Sequence, residues 1–250
     1  MIAKTEIDQL VEKYETTDFI KDDPIQFPHR FVEKKDIEIA GFIASLVAYG
    51  QRKVFIKKLS SLFEIAQNEP LNFILNFEPK ILGDFNYRFG KPDDFAQIFS
   101  VMRSLYEKEG GLEELFKYGY NNPVGENMFV PITDYFYSNV INNEAQGVRF
   151  MIPDARKGSA MKRMCMFLRW MVRKGPVDFG IWDFMPASDL LIPLDTHVAR
   201  LSREMGFLTR NANDFKSVLE ITENLRKFDS TDPTKYDFAM FGFGVSEKHT

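Results

Sequence analysis

The sequence predicts an all-α fold, and three observations support this. Apolar residues make up 44% of the 250-residue chain, and the 25 Phe and 9 Tyr are far more aromatic residues than disordered chains carry. Apolar positions recur at the i, i+3, i+4, i+7 spacing of buried helix faces. Few stretches alternate as β-strands do. The chain is also long enough to bury a substantial core.

Helical periodicity divides the chain into successive elements. Residues 37–66 predict two helices joined at Tyr49–Arg52, where Gly50 and Gln51 interrupt the apolar pattern. Further helices are predicted at 93–108, at 131–140, from near Gly158 to Val172, from Asp195 to Gly206, and at 214–228. The stretch 175–193 contains three prolines and two glycines, which predict an ordered loop or short helical turns.

Composition and charge limit the classes of function. The single cysteine, Cys165, excludes an internal disulfide and a cysteine-rich zinc or iron–sulfur centre. The three histidines lack ligand-like spacing, so we expect no metal site and no cofactor. The N-terminus is charged and the longest uncharged apolar stretch, Phe42–Tyr49, is too short to span a bilayer, so we expect a cytoplasmic protein without a membrane partner.

One segment is strongly basic although the chain as a whole is acidic. The formal net charge is −4, which argues against indiscriminate coating of nucleic acid. Between Arg149 and Lys174, however, eight Lys and Arg residues oppose only Asp154, a local net charge of 8 − 1 = +7. Such a segment favours a polyanionic partner.

The helix that follows Gly158 carries this charge on one side. At about 100° per residue, Lys162, Arg169 and Arg173 lie within roughly 20° of one direction, and the opposite apolar stripe predicts burial. Such a row could follow a phosphate backbone, or it could be an ordinary solvated face. The small residues Gly158 and Ser159, next to Lys157, would let backbone N–H groups approach a phosphate at the helix N-terminus.

The segment Leu194–Gly206, LDTHVARLSREMG, resembles the aspartate-centred segment of helix-hairpin-helix DNA glycosylases, in which Asp-Thr-His begins a helix. Without that resemblance Asp195 is simply a helix N-cap. Gly158-x-Ala160-x-Lys162 resembles the Gly-x-Gly-x-Lys hairpin of the family. The resemblance implies that Lys162 is the nucleophile, that Asp195 is the catalytic aspartate, and that Gln51 is a DNA-intruding residue.

The resemblance also implies a two-lobed helical fold with a cleft between the lobes: a central lobe over 36–195 and a terminal lobe formed by 1–35 and 196–250. Three differences between this sequence and the family bear on which substrate is expected. Lys162 and Asp195 are 195 − 162 = 33 residues apart, a long separation similar to that of the archaeal oxidised-guanine branch; Ala160 replaces a glycine; and the cysteine cluster of the endonuclease III branch is missing. The segments RWMVRKGPVDFGIW and IPLDTHVARL also resemble a bacterial family of conserved hypothetical proteins.

The long stretch between Lys162 and Asp195 offers material for a base pocket. Phe179 and Trp182 could stack on an extruded base, and Asp178 could accept a hydrogen bond from its edge, although aromatic residues more often pack in a core.

Three hypotheses follow from the sequence. The first is a monomeric DNA glycosylase, with or without lyase activity, that acts on a damaged base in double-stranded DNA. The second is a non-catalytic helix-hairpin-helix protein that binds nucleic acid, because fold does not imply function. The third is a protein-interaction module, for which the acidic pI is the main support.

Overall fold

The computed structural model describes residues 3–237 and residue 240. The described part is mostly helical, and none of its residues lies in a β-strand beyond isolated bridges. The last ten residues of the predicted terminal lobe lie outside it. The α-helices are α1 (Lys4–Tyr14), α2 (Lys34–Val47), α3 (Arg52–Ile65), α4 (Pro70–Leu75), α5 (Pro92–Lys108), α6 (Leu112–Asn121), α7 (Phe129–Asn139), α8 (Gln146–Met151), α9 (Lys162–Val172), α10 (Thr196–Glu204) and α11 (Phe215–Arg226).

The predicted helices agree with those observed to within a few residues. Short 3₁₀ turns lie between several of the α-helices. Residues 175–193 are irregular apart from the 3₁₀ turn Ala187–Asp189, as the prolines predicted. No helix in the described part of the chain is long and apolar enough to cross a membrane.

The chain forms two compact units. The central unit comprises residues 23–157, and the terminal unit comprises residues 1–22 and 158–250. This division differs from the lobes that the resemblance implies, because residues 158–195 belong with the two ends of the chain. Within the terminal unit, Arg169 of α9 forms an ion pair with Asp237, and Arg173, which follows α9, forms ion pairs with Glu15 and Asp232.

The central unit is built around α2. Every residue of this helix from Ile37 to Val47 is buried, and α2 contacts α3, α4 and α6. Its one buried acid, Glu38, accepts a hydrogen bond from the Tyr106 hydroxyl at 3.0 Å. A helix that is apolar on all sides requires neighbours on all sides, which explains its central position.

The terminal unit is built around α9, whose residues from Met164 to Val172 are all buried. The irregular stretch after α9 folds back against the end of that helix. The backbone N–H of Phe179 donates to the Trp170 carbonyl at 2.8 Å, and that of Trp182 donates to Met171 at 2.9 Å. The stretch that the sequence offered as pocket material therefore packs against the hairpin helix.

Candidate active site

Lys162 is the first residue of α9 and follows a tight turn. Gly158 has φ +73°, and Met161, at the N-cap position, has φ +51° with its side chain buried. The Gly158 carbonyl accepts a hydrogen bond from the backbone N–H of Phe215 at 3.0 Å, which ties the turn to the start of α11. The helix thus begins four residues later than the sequence predicts, because the left-handed conformation of Met161 prevents earlier helical hydrogen bonding.

The Lys162 side chain is partly exposed. Within the described part of the chain, its ammonium group forms no ion pair and no hydrogen bond. Four arginines of the same unit, Arg169, Arg173, Arg200 and Arg210, form ion pairs with neighbouring carboxylates. Lys162 is therefore available to a ligand.

Asp195 caps α10, as the sequence predicts. Its Oδ1 accepts hydrogen bonds from the backbone N–H groups of His197 at 2.8 Å and Val198 at 2.9 Å. Its Oδ2 accepts no hydrogen bond from any described residue, and the side chain is partly exposed. One carboxylate oxygen thus stabilises the helix while the other remains available.

Asp237 is the residue of this site that the sequence analysis missed. It lies in a helical stretch that starts at Lys235, it is buried, and it accepts a hydrogen bond from Arg169. Burial raises its pKa to about 7. The positive charges of Arg169 and Lys162 oppose this rise, whereas the negative charges of Asp195 and Asp178 add to it.

Asp237 therefore shares one electrostatic neighbourhood with Lys162 and Asp195, although the three residues are far apart in the sequence. The only sequence signal was an acidic residue surrounded by aromatic and apolar residues, in Tyr236–Asp237–Phe238. A carboxyl group that is fully buried almost always has a partner.

Arg169 and Arg173 do not form an exposed cationic row, and that prediction was wrong. Both are buried. Arg169 donates to Asp178 at 3.3 Å and to Asp237. Arg173 donates to Asp178 at 3.0 Å, to Glu15, and to Asp232 at 2.9 Å. The two arginines do share a direction, but that direction faces the protein, where carboxylates neutralise them.

Two of the three residues predicted to line a base pocket are buried. Both carboxylate oxygens of Asp178 bind arginines, so the prediction that Asp178 faces a base was wrong. The prediction was likewise wrong for Trp182, which is only 2% exposed and packs edge-to-face on Phe167, with the ring centroids 5.2 Å apart. Phe179 is half-buried, so its stacking role stays a prediction.

The remaining predicted residues are accessible. Lys157 is exposed at the end of a 3₁₀ turn, and Gly158 and Ser159 are partly exposed. A side chain at Gly158 would have no neighbour within 4 Å. Gln51 belongs to the central unit; it is exposed, and its side chain does not cap α3. Their proposed contacts with DNA stay predictions. In the described residues, no group of His, Cys, Asp and Glu is arranged to hold a metal ion.

A family model matches residues 23–246, which is most of the chain. The chain belongs to the DUF2400 family. The family is described as a protein of unknown function, and this fits the conserved hypothetical proteins that the sequence resembles. No curated protein and no solved structure matches the chain significantly. An assignment of function to this DUF2400 protein therefore has to come from its own residues.

Proposed function

We propose that this protein is a DNA glycosylase that removes a damaged base, with Lys162 as the nucleophile and Asp195 as the residue that stabilises the sugar cation. One observation carries the proposal: Lys162, partly exposed and without an ion pair among the described residues, and Asp195, whose Oδ2 is available, both lie near enough to the buried Asp237 for their charges to affect its pKa. The resemblance of the Gly158 turn and of the Asp195 segment to helix-hairpin-helix glycosylases supports the same roles.

The proposed chemistry begins with an extruded nucleotide, since a base inside the duplex cannot be reached, and unstacking costs a few kcal/mol. After its ammonium proton has passed to solvent, Lys162 Nζ forms a bond to C1′ as the bond between C1′ and the base breaks, and Nζ then releases a proton. The base leaves with the electron pair and takes up a proton. The sugar ring then opens: the C1′–O4′ bond breaks, O4′ gains a proton, and C1′ and Nζ form a Schiff base. Asp195 Oδ2 would stabilise the positive charge that develops on the sugar.

Borohydride trapping tests the proposal, because hydride reduces the Schiff base to a stable amine. The full chain is incubated with duplexes that contain oxidised, alkylated or deaminated bases. We expect the wild type to form a covalent protein–DNA adduct with at least one duplex, and Lys162→Gln to form none. Lys216→Gln, which removes an exposed lysine of the same unit, is the matched control and should form the adduct at the wild-type level.

The proposal fails if neither an adduct nor a released base is found with any of these duplexes. Salt-sensitive DNA binding that survives both Lys162→Gln and Asp195→Asn, without any product, would instead favour the non-catalytic nucleic-acid-binding protein.

A further inference from the structure

Six cations in the described residues of the central unit form ion pairs with neighbouring carboxylates, whereas two exposed lysines in the first half of α3 form none there. The nitrogen–oxygen distances in these ion pairs are 3.5 Å or less, and the pairs are Lys34–Glu113, Lys80–Glu78, Arg103–Glu107, Lys117–Glu114, Arg149–Glu144 and Arg156–Asp134. Helix α3 begins with four cations in seven residues, Arg52, Lys53, Lys57 and Lys58, and its first acidic residue is Glu64.

Two of these lysines point to solvent. Lys53 and Lys57 are exposed, and they lie on the side of α3 opposite its buried residues, of which Phe55 and Leu59 are two. Neither lysine forms an ion pair or hydrogen bond with any residue that the structure describes. Because they are one helical turn apart, about 6 Å along the axis, each can contact a different negative group of the same ligand.

Arg88 adds a third cation beside the start of α3. It sits in a tight turn that is closed by reciprocal backbone hydrogen bonds of 2.9 Å between Tyr87 and Gly90. Its φ of +52° is unfavourable for a residue with a side chain, so the turn holds Arg88 in a fixed position. The guanidinium lies over Gly50: a Cβ at that glycine would be 2.2 Å from Nη1 of Arg88.

Aromatic rings accompany these charges. The Arg88 guanidinium lies 5.9 Å from the centre of the Tyr49 ring, and the neighbouring Phe89 is 40% exposed. The same corner therefore places an exposed cation next to a partly exposed aromatic side chain, Phe89, whose ring also packs against Phe150. Surfaces that bind nucleic acid with unpaired bases combine these two features, because cations bind the phosphates and rings stack on the exposed bases. An acidic polypeptide would match the charges but has no bases to stack.

We infer that Lys53, Lys57 and Arg88 form a phosphate-binding surface for nucleic acid, which we call the α3 cationic surface. This inference rests on the proposed function only for the kind of ligand, and it requires no chemistry at Lys162. It assigns phosphate contacts to α3 and the Arg88 turn, whereas the sequence analysis predicts them at Lys157–Ser159 and along a row of three cations in which Arg169 and Arg173 are neutralised.

The test compares two double variants of the full chain that remove the same charge. Lys53→Gln/Lys57→Gln removes the unpaired lysines, and Lys80→Gln/Lys117→Gln removes two exposed lysines that are paired with glutamates. Fluorescence anisotropy measures binding to a labelled duplex with one mismatched base pair between about 50 and 200 mM salt. Each lost phosphate contact should reduce the slope of log Kobs against log salt by about 0.9. We expect the first variant to lose about 1.8 from the slope, and the second to match the wild type.

Arg88→Gln should reduce the slope by about a further 0.9. The inference is overturned if both double variants bind like the wild type, if no DNA binding is seen even at low salt, or if polyglutamate competes as well as DNA per unit charge. Circular dichroism verifies that each variant is folded.

The trapping assay separates this inference from the proposed function. If DNA binds through the α3 cationic surface but no adduct forms, only the glycosylase proposal fails. If the wild type forms the adduct while Lys53→Gln/Lys57→Gln keeps the wild-type salt slope, only the surface fails.

Discussion

Asp237 has an unusual environment for a carboxyl group. It is buried, it accepts a hydrogen bond from Arg169, and the charges of Lys162 and Asp195 affect its pKa. Because burial raises its pKa to about 7, above the ordinary value of 3.8, the folded protein keeps a proton that the unfolded chain releases above about pH 4. Asp237 therefore stabilises the folded protein at low pH. Its contribution to the free energy of unfolding is lost as the pH rises through 7.

This linkage gives the first prediction. The difference in unfolding free energy between the wild type and Asp237→Asn should decrease by roughly 2 to 3 kcal/mol from about pH 5 to pH 7, because Asn cannot ionise and one pKa unit corresponds to about 1.4 kcal/mol. Urea denaturation at several pH values measures it. Asp183→Asn, at an exposed position of the same unit, is the control. Parallel curves for the wild type and Asp237→Asn would contradict the pKa assigned to Asp237.

The second prediction concerns Arg173, which faces Glu15, Asp178 and Asp232. Arg173→Met leaves these carboxylates without their shared cation, so we expect a loss of about 3 to 5 kcal/mol in unfolding free energy. Arg200→Met removes an exposed arginine paired with Glu204 and should cost less than about 1 kcal/mol. Chemical denaturation measures both. A stable Arg173→Met variant with weakened DNA binding would restore the original view that Arg173 contacts phosphates.

At the residue scale, the sequence could predict local roles but not distant partners. The capping role of Asp195 depends on backbone N–H groups only two and three residues further along the chain, and that prediction is confirmed. The buried ion pairs of Arg173, by contrast, are formed with Glu15, which is 158 positions away, and with Asp232. Helical periodicity shows that a side chain lies on one side of a helix. It does not show whether that side meets solvent or a carboxylate from elsewhere in the chain.

At the element scale, α10 depends on the Asp195 cap, and this separates its structural role from its proposed chemical one. Asp195→Asn keeps a side-chain oxygen that can accept from the helix N-terminus, so its unfolding free energy should stay close to that of the wild type. Asp195→Ala should lose about 1 to 2 kcal/mol. We expect both variants to lose most of the trapped adduct. Full activity in Asp195→Asn would assign Asp195 to the helix cap alone.

The Gly50 turn before α3 gives a fourth prediction. Gly50 has φ +83°, and a Cβ there would collide with Arg88, whereas Gly83 has φ +53° and open space around it. Gly83→Ala should therefore cost only the backbone strain, about 1 kcal/mol, and Gly50→Ala should cost more because Arg88 must move. Thermal unfolding compares the two. Equal losses would show that Arg88 is not held over Gly50.

The elements themselves were predictable because their apolar spacing is regular and their ends carry Gly and Pro. The start of α9 was not, because nothing in Ala160–Met161–Lys162 marks Met161 as left-handed. That conformation depends on the pairing of the turn with α11, a contact between segments more than fifty residues apart.

At the scale of the whole molecule, composition and periodicity were enough to predict an all-α protein, and the described residues confirm it. The boundaries of the units could not be predicted, because residues 158–195 contact segments near both ends of the chain, through ion pairs of Arg169 and Arg173 that the sequence does not reveal. The net charge of −4 likewise does not show which cations are neutralised and which, like Lys53, remain available.

The central claim is that Lys162 forms a covalent bond to the sugar of a damaged nucleotide. Peptide mapping of the borohydride-reduced adduct by mass spectrometry tests it most directly, because it identifies the modified side chain. The account predicts that the sugar remnant is found on the peptide containing Lys162 and that no adduct forms with Lys162→Gln. A remnant on another lysine, or an adduct of undiminished yield with Lys162→Gln, would contradict it.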